Sequence, residues 1–214
     1  MDTDSRLRVA RGIAGSEKEA SIQVFQTLKR RGHPEAPPLT VSDGCDGIAE
    51  AMIEVYGKVP EYTGRGRPPT LKKPCADWEY IQAIKERDEH GKVRGVKILC
   101  VFGNRAENAS TAYIERSNLT SRMFNARQVR KTLAFSKDVE MNRAAAIWED
   151  SYYNLIRVHK SLRQPCSNVP GRRWQPRTPA MAAGLTDHIW TVEELLTTLP
   201  LPKISNTLRL PFFY

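Results

Sequence analysis

Three acidic residues stand in settings that suit a hard metal ion. Asp43 follows a short apolar run within Ser-Asp-Gly, where the glycine leaves the carboxylate unobstructed. Glu115 lies in a stretch with helical spacing, and Asp2 lies just ahead of the first strand-like pattern. Mg²⁺ binds carboxylate oxygens and few other protein ligands. The three positions therefore indicate metal–carboxylate chemistry, with Asp4 as an alternative to Asp2.

Each of these residues also has an ordinary explanation. Asp43 with its following glycine is typical of a turn after a strand. Glu115 is spaced to pair on a helix surface with Arg116 or Arg122. Asp2 belongs to the first few residues, which are commonly poorly ordered.

The charge of the chain favours an acidic partner. Its 214 residues include 33 Lys and Arg against 24 Asp and Glu, which gives a formal net charge of +9. Two stretches concentrate the basic residues and are candidates for phosphate contacts. The basic loop 64–74 carries Arg65, Arg67, Lys72 and Lys73, and the stretch after Glu115 carries Arg116, Arg122, Arg127, Arg130 and Lys131. Arg65-Gly66-Arg67 resembles a hook that enters the minor groove of DNA, although an ordinary solvated linker explains it equally well.

The first third of the chain alternates between strand and helix patterns. Period-two spacing predicts a strand over 6–13, and a Ser16 cap followed by helical spacing predicts a helix that ends at Gly32. A short strand over 39–41 and a helix over 48–55 follow. This order is typical of an α/β layer fold.

The remaining elements position the candidate residues. The loop 64–74 is too rich in proline and glycine for regular structure, and alternation predicts a β-hairpin over 80–102. Helical spacing resumes near residue 112 and again from Val139, and short helices are predicted at 179–183 and 192–197. The helix from Val139 is predicted to face the core with Met141, Ala145, Trp148, Tyr152, Leu155 and His159.

Composition also bears on the class of protein and its compartment. No apolar stretch reaches the roughly 18 residues of a membrane span, and Met1 is followed by charged residues, so membrane and secreted proteins are not expected. The four cysteines are far apart, without metal-ligand spacing, and are predicted to be free thiols in a reducing cytosol. The histidines are too scattered for a zinc site.

Several segments resemble one known family. The segments 113–123 (YIERSNLTSRM) and 130–137 (RKTLAFSK) resemble the end of the catalytic core of bacterial insertion-sequence transposases of the DDE class. The segments 152–154 (YYN), 159–162 (HKSL) and 177–185 (RTPAMAAGL), with Arg157, resemble the C-terminal signature of that family. The segments 2–7 (DTDSRL) and 39–44 (LTVSDG) are similar to its first and second acidic motifs, in the same order. The resemblance covers nearly the whole chain.

The resemblance implies both a fold and a reaction. The fold is an RNase-H-like three-layer α/β core, a mixed sheet flanked by helices, over 1–160, with the basic loop and the hairpin inserted. A proline-rich extension with short helices follows over 161–214. Asp2, Asp43 and Glu115 would bind two Mg²⁺ or Mn²⁺ ions, which cleave DNA and transfer the strand without a nucleotide cofactor. The implied partners are double-stranded DNA, at the element ends and the target, and further copies of the chain, in the bacterial cytoplasm near the nucleoid.

The same resemblance leaves a second function open. In such a core the first acidic residue lies on a central strand, and only Met1 precedes Asp2, so we expect this strand to be missing. Since only Met1 precedes Asp2, we also expect the end-recognising helix-turn-helix or zinc segment of the family to be missing. An inactive remnant that binds only DNA or a full-length partner is therefore the alternative. An RNA-binding protein of ribosomal type fits the charge but not the spaced acidic motifs.

Overall fold

The structure is a computed structural model that describes residues 1–45, 47–64, 66–104, 109–129, 131–166, 171 and 173–198. The chain divides into two compact units. The first comprises Met1–Thr3 and Arg8–Ala145, and the second comprises Asp4–Leu7 and Ala146–Tyr214. The sequence-based division after residue 160 stays a prediction.

Both units combine helices with short strands, so the α/β class is confirmed. The first unit contains α1 (Glu17–Arg31), β1 (Thr40–Ser42), α2 (Gly47–Tyr56), β2 (Tyr80–Arg87), β3 (Val93–Phe102), α3 (Ala112–Phe124), the 3₁₀ helix Ala126–Gln128 and the start of α4 (Val139–Leu155). The second contains the rest of α4, with β4 (His159–Pro165), β5 (Trp174–Arg177), α5 (Pro179–Ala182) and α6 (Val192–Thr198).

Helix α1 begins and ends as its sequence predicts. The Ser16 hydroxyl accepts a hydrogen bond from the Glu19 backbone N–H at 3.2 Å, which satisfies one of the unpaired amides of the first turn. Acidic residues occupy the first turn and basic residues the last, as the helix dipole favours. The backbone N–H of Gly32 donates to the Leu28 carbonyl and closes the C-terminus.

The sheet of the first unit mixes parallel and antiparallel pairs. Its order is β1-β2-β3, with β1 parallel to β2 and β2 antiparallel to β3. The predicted hairpin is therefore confirmed, and so is the short strand before Asp43. Because residues 80–83 of β2 are all buried, both faces of the sheet are covered at this end.

Aromatic rings dominate the core between this sheet and helices α1 and α2. Phe25, Met52 and Tyr56 of the helices pack with Trp78, which precedes β2, and with Tyr80, the first residue of β2. Neighbouring rings meet edge to face, the arrangement that the ring quadrupole favours. This core fixes β1 and β2, which carry the residues around Asp43.

The predicted strand over 6–13 is wrong. No residue from 6 to 13 forms a strand, although all of them are described. Arg6 has a positive φ of 63°, which interrupts an extended chain. The side chain of Arg8 is buried and donates to Ser117 of α3, so this segment is held by side-chain hydrogen bonds instead of a strand ladder.

Helix α4 exists as predicted, but its predicted core-facing side is wrong. Met141, Trp148 and Tyr152 are 53%, 41% and 42% exposed, whereas Ala146 and Tyr153 are buried. On the buried side, Glu149 and Asp150 lie between Ala146 and Tyr153, so the hydrophobic pattern of the sequence does not mark this side. The helix also ends at Leu155, so His159 is wrongly assigned to it and instead begins β4.

In the second unit, the two short helices predicted from the sequence are confirmed. The unit also contains a two-stranded ribbon, formed by β4 and β5, that the sequence did not predict. Thr178 caps α5 by accepting from the Met181 N–H, and Thr191 and Glu194 form a reciprocal capping box on α6. Strands β4 and β5 pair antiparallel. The segment predicted as a proline-rich extension therefore includes regular structure.

All four cysteines are free thiols, as the sequence predicts. Their spacing brings no two of them into a disulfide. None of the helices in the described residues combines the length and apolar character that crossing a bilayer requires.

Candidate functional site

Asp43 lies at the exposed end of β1, directly after a hydrogen-bonded polar cluster. The Ser42 hydroxyl and the Tyr80 hydroxyl are 2.7 Å apart. The Gln82 amide donates to the same Tyr80 oxygen at 3.0 Å and to the Cys45 carbonyl at 3.3 Å. Burial raises the pKa of Tyr80, so its hydroxyl stays protonated. The cluster fixes the backbone on both sides of Asp43.

Glu115 lies in the first turn of α3, and its carboxylate has two close partners. The Lys85 ammonium is 2.6 Å from Oε2, and the Thr111 hydroxyl donates to Oε1 at 2.7 Å. The hydrogen bond from Lys85, followed by the one from Thr111, lowers the pKa of Glu115 below its usual value. With 46% of the Glu115 side chain exposed, the pair adds little stability. The ion pair nevertheless connects α3 to β2.

The buried side of α3 is held by arginines from the segment before α1. Arg8 donates from Nε to the Ser117 hydroxyl at 2.9 Å and from Nη2 to the Ser117 carbonyl at 3.1 Å. One turn further along, Arg11 donates to the Ser121 hydroxyl at 3.4 Å. Residues four apart lie on the same side of a helix, so Ser117 and Ser121 share the inward side of α3 and the opposite side faces outward.

The carboxylates do not fit a two-metal site in this arrangement. Asp2, Asp4 and Asp43 are exposed. Among the described residues, no group of three or more His, Cys, Asp or Glu side chains is arranged to hold a metal ion. An ammonium already neutralises Glu115. We therefore assign no chemical step to a metal ion, and the Mg²⁺ or Mn²⁺ requirement stays a prediction.

The basic residues that follow Glu115 are largely accessible. Arg116, Arg127 and Lys131 are exposed and Arg122 is half-buried, whereas Arg130 lies outside the described residues. Arg127 is oriented by its contact with the Ser136 hydroxyl at 3.2 Å. At about 3.6 residues per turn, Arg116 and Arg122 do not lie on the inward side of α3 that carries Ser117.

The basic loop is exposed and partly anchored. Arg67, Lys72 and Lys73 are exposed, whereas Arg65 lies outside the described residues. Lys73 forms a backbone bridge with Lys58, and the Lys72 ammonium donates to the Glu54 carbonyl at 2.5 Å. These two contacts anchor the loop at Lys72 and Lys73, and the described basic side chains of the loop remain exposed.

No family model, curated protein or solved structure matches this chain. The DDE resemblance remains an expectation from the sequence motifs.

Two residues of this region were missed by sequence reasoning. Lys85 occupies a plain polar position of the hairpin, and only its contact with Glu115 gives it significance. Arg8 appeared as one residue of a strand, yet it anchors α3. The available signal was the spacing of Ser117 and Ser121, small polar residues one helical turn apart.

Proposed function

We propose that this chain is a DNA-binding protein of the DDE transposase class. Helix α3 carries the proposal, because its inward side is fixed by buried contacts while its outward side holds Arg116 and Arg122. These arginines belong to the same motif that resembles the end of the DDE core. A rigid helix that presents cations outward suits contacts with a phosphate backbone.

We propose further that the first unit has an RNase-H-like core. A mixed sheet with helices agrees with this class, and Asp43 follows a strand of the parallel pair. Because transposition joins two ends of an element, the functional form would contain at least two copies of the chain. Its place would be the bacterial cytoplasm, at the nucleoid.

DNA binding predicts a strong dependence on salt. Each phosphate neutralised by Lys or Arg releases condensed counterions, so the logarithm of the binding constant falls with the logarithm of salt by about 0.9 per contact. If the candidate cations among the described residues of the first unit all contact DNA, they contribute about −6 to the slope. They are Arg67, Lys72, Lys73, Arg116, Arg122, Arg127 and Lys131.

The experiment measures fluorescence anisotropy of a labelled duplex of random sequence, from about 50 to about 200 mM salt. We expect binding at the lower concentration and a steep, linear loss on the logarithmic plot. A duplex of the same sequence with an uncharged methylphosphonate backbone is the control, and it should bind far more weakly. Absence of binding to the normal duplex at low salt, or equal binding to both, would reject the proposal.

A second candidate function is cleavage of DNA, which the position of Asp43 favours. Ser42 contacts Tyr80, so its side chain lies on the Tyr80 and Gln82 side of the sheet. Asp43 follows the strand and is exposed. After burial, the charge of Asp43 is among the causes that raise the pKa of Tyr80, so this carboxylate lies near the polar cluster and is accessible to a substrate.

A plasmid assay separates the two candidates. Because Lys85 and Thr111 hold the Glu115 carboxylate, we expect wild type and Glu115→Gln to leave a supercoiled plasmid equally intact in Mn²⁺. Nicks that appear with wild type and vanish with Glu115→Gln would establish cleavage. A plasmid-binding assay on both proteins confirms that each engages the substrate.

A further inference from the structure

The β4–β5 ribbon of the second unit is rich in positive charge. Its basic residues are not among the DNA contacts proposed for the first unit. Residues 157–178 contain six Arg or Lys and no Asp or Glu. Of these, Lys160, Arg163 and Arg173 are exposed in the described part of the ribbon. A stretch of one sign of charge favours a polyanionic partner.

The ribbon has a defined geometry. Strands β4 and β5 pair antiparallel through His159 with Arg177, Gln164 with Gln175 and Pro165 with Trp174, and the register shifts between His159 and Gln164. Beyond these pairs, the Cys166 N–H donates to the Arg173 carbonyl at 3.0 Å and extends the ladder by one hydrogen bond. The major groove of DNA, about 12 Å wide, admits such a two-stranded ribbon.

The Trp174 ring lies close to two exposed arginines of the ribbon. The guanidinium carbon of Arg163 lies 4.3 Å from the Trp174 ring centroid, and that of Arg173 lies 5.8 Å from it. Stacking on an aromatic ring restricts a guanidinium, while its N–H donors remain free to contact phosphates from the edge. Less freedom is then lost on binding than with unrestrained side chains.

The ribbon also carries neutral groups that suit base edges. Gln164 and Gln175 are cross-strand partners, and both are exposed. A glutamine amide is able to donate to and accept from adenine in the major groove. The ribbon therefore combines cations for the backbone with amides for the bases.

We propose that the β4–β5 ribbon is a second contact for double-stranded DNA, inserted into the major groove. This inference rests on the proposed DNA-binding function. Lys160, Arg163 and Arg173 contact phosphates, and Gln164 and Gln175 lie toward base edges. The ribbon adds to the contacts made by α3 and the basic loop.

The test compares the salt dependence of duplex binding in the full chain. The ribbon variant combines Lys160→Gln, Arg163→Gln and Arg173→Gln, and the control combines Arg30→Gln, Lys92→Gln and Lys97→Gln, which removes the same charge from exposed positions of the first unit. We expect the slope to fall in magnitude by about 3 in the ribbon variant. The affinity lost between about 50 and about 200 mM salt is then about 40-fold smaller than in wild type. The control should keep a slope close to wild type.

A charge-retaining variant guards against a folding defect. Arg163→Lys with Arg173→Lys keeps both cations, so we expect its slope to remain near that of wild type, and circular dichroism monitors folding of all variants. If wild type binds duplex and the ribbon variant keeps the wild-type slope, the ribbon inference is wrong while the proposed function stands. The ribbon inference is also wrong if the ribbon variant loses affinity only for single-stranded RNA and binds duplex DNA as wild type does. If wild type binds no duplex, the proposed function itself has failed.

Discussion

Replacement of Trp78 by alanine is expected to lower the free energy of unfolding by about 3–5 kcal/mol. Trp78 is 1% exposed and lies within the aromatic core of the first unit. Its ring meets Tyr56 at 6.3 Å and Phe102 at 5.8 Å between centroids, both edge to face. The substitution removes these contacts and leaves a cavity that the fixed strands around it fill only in part.

Trp148→Ala is the matched control, because the same side chain is removed from a position that is 41% exposed. We expect a loss of about 1 kcal/mol or less. Urea unfolding followed by far-ultraviolet circular dichroism measures both values without relying on the fluorescence of the replaced tryptophan. Equal losses for the two variants would contradict the burial of Trp78 and the exposure of Trp148.

This comparison also indicates what the sequence is able to predict. The spacing of Trp148 and Tyr152 predicts α4 correctly, because helical period is a local property. It does not predict which side of the helix is buried, because Glu149 and Asp150 lie between Ala146 and Tyr153 on that side and no apolar stripe marks it. Large aromatic side chains dominate a hydrophobicity pattern, whereas close packing in the structure uses the small alanine.

The sequence predicts the candidate site only in part as well. Helix α3 with Glu115 and strand β1 before Asp43 follow from local spacing. The partners of α3 do not, since Lys85 is 30 positions from Glu115 and Arg8 is 109 positions from Ser117. The spacing of Ser117 and Ser121 marks a polar side of α3, but a single sequence does not show which distant residue contacts it.

Strands β4 and β5 were missed for a different reason. Pro165 and Pro176 suggest a tail without regular structure, because proline removes a donor from a strand ladder. In a ribbon of only two strands, each strand has one side without a neighbouring strand, and proline is tolerated there. Proline content was therefore a poor guide to this segment.

Removal of the charges on and after α3 should weaken DNA binding strongly. The variant combines Arg116→Gln, Arg122→Gln and Arg127→Gln. Since one hydrogen bond to a charged group contributes about 1.5–3 kcal/mol, we expect the affinity for duplex to fall by at least about tenfold. The magnitude of the salt slope should fall by about 3.

The control for this variant is again the combination of Arg30→Gln, Lys92→Gln and Lys97→Gln, which changes the net charge equally. It separates specific contacts from a general effect of charge. Equal loss of affinity in both variants would indicate that net charge alone attracts DNA. The unfolding midpoint of each variant in urea shows whether the fold is retained.

Hydrogen–deuterium exchange of the chain with and without a random-sequence duplex tests the central claim most directly. The claim is that α3 and the segment after it contact DNA. We expect peptides that cover 112–129 and 131–137 to exchange more slowly with duplex at low salt, and this protection to disappear at high salt. Binding of the duplex without any change in these peptides would contradict the account.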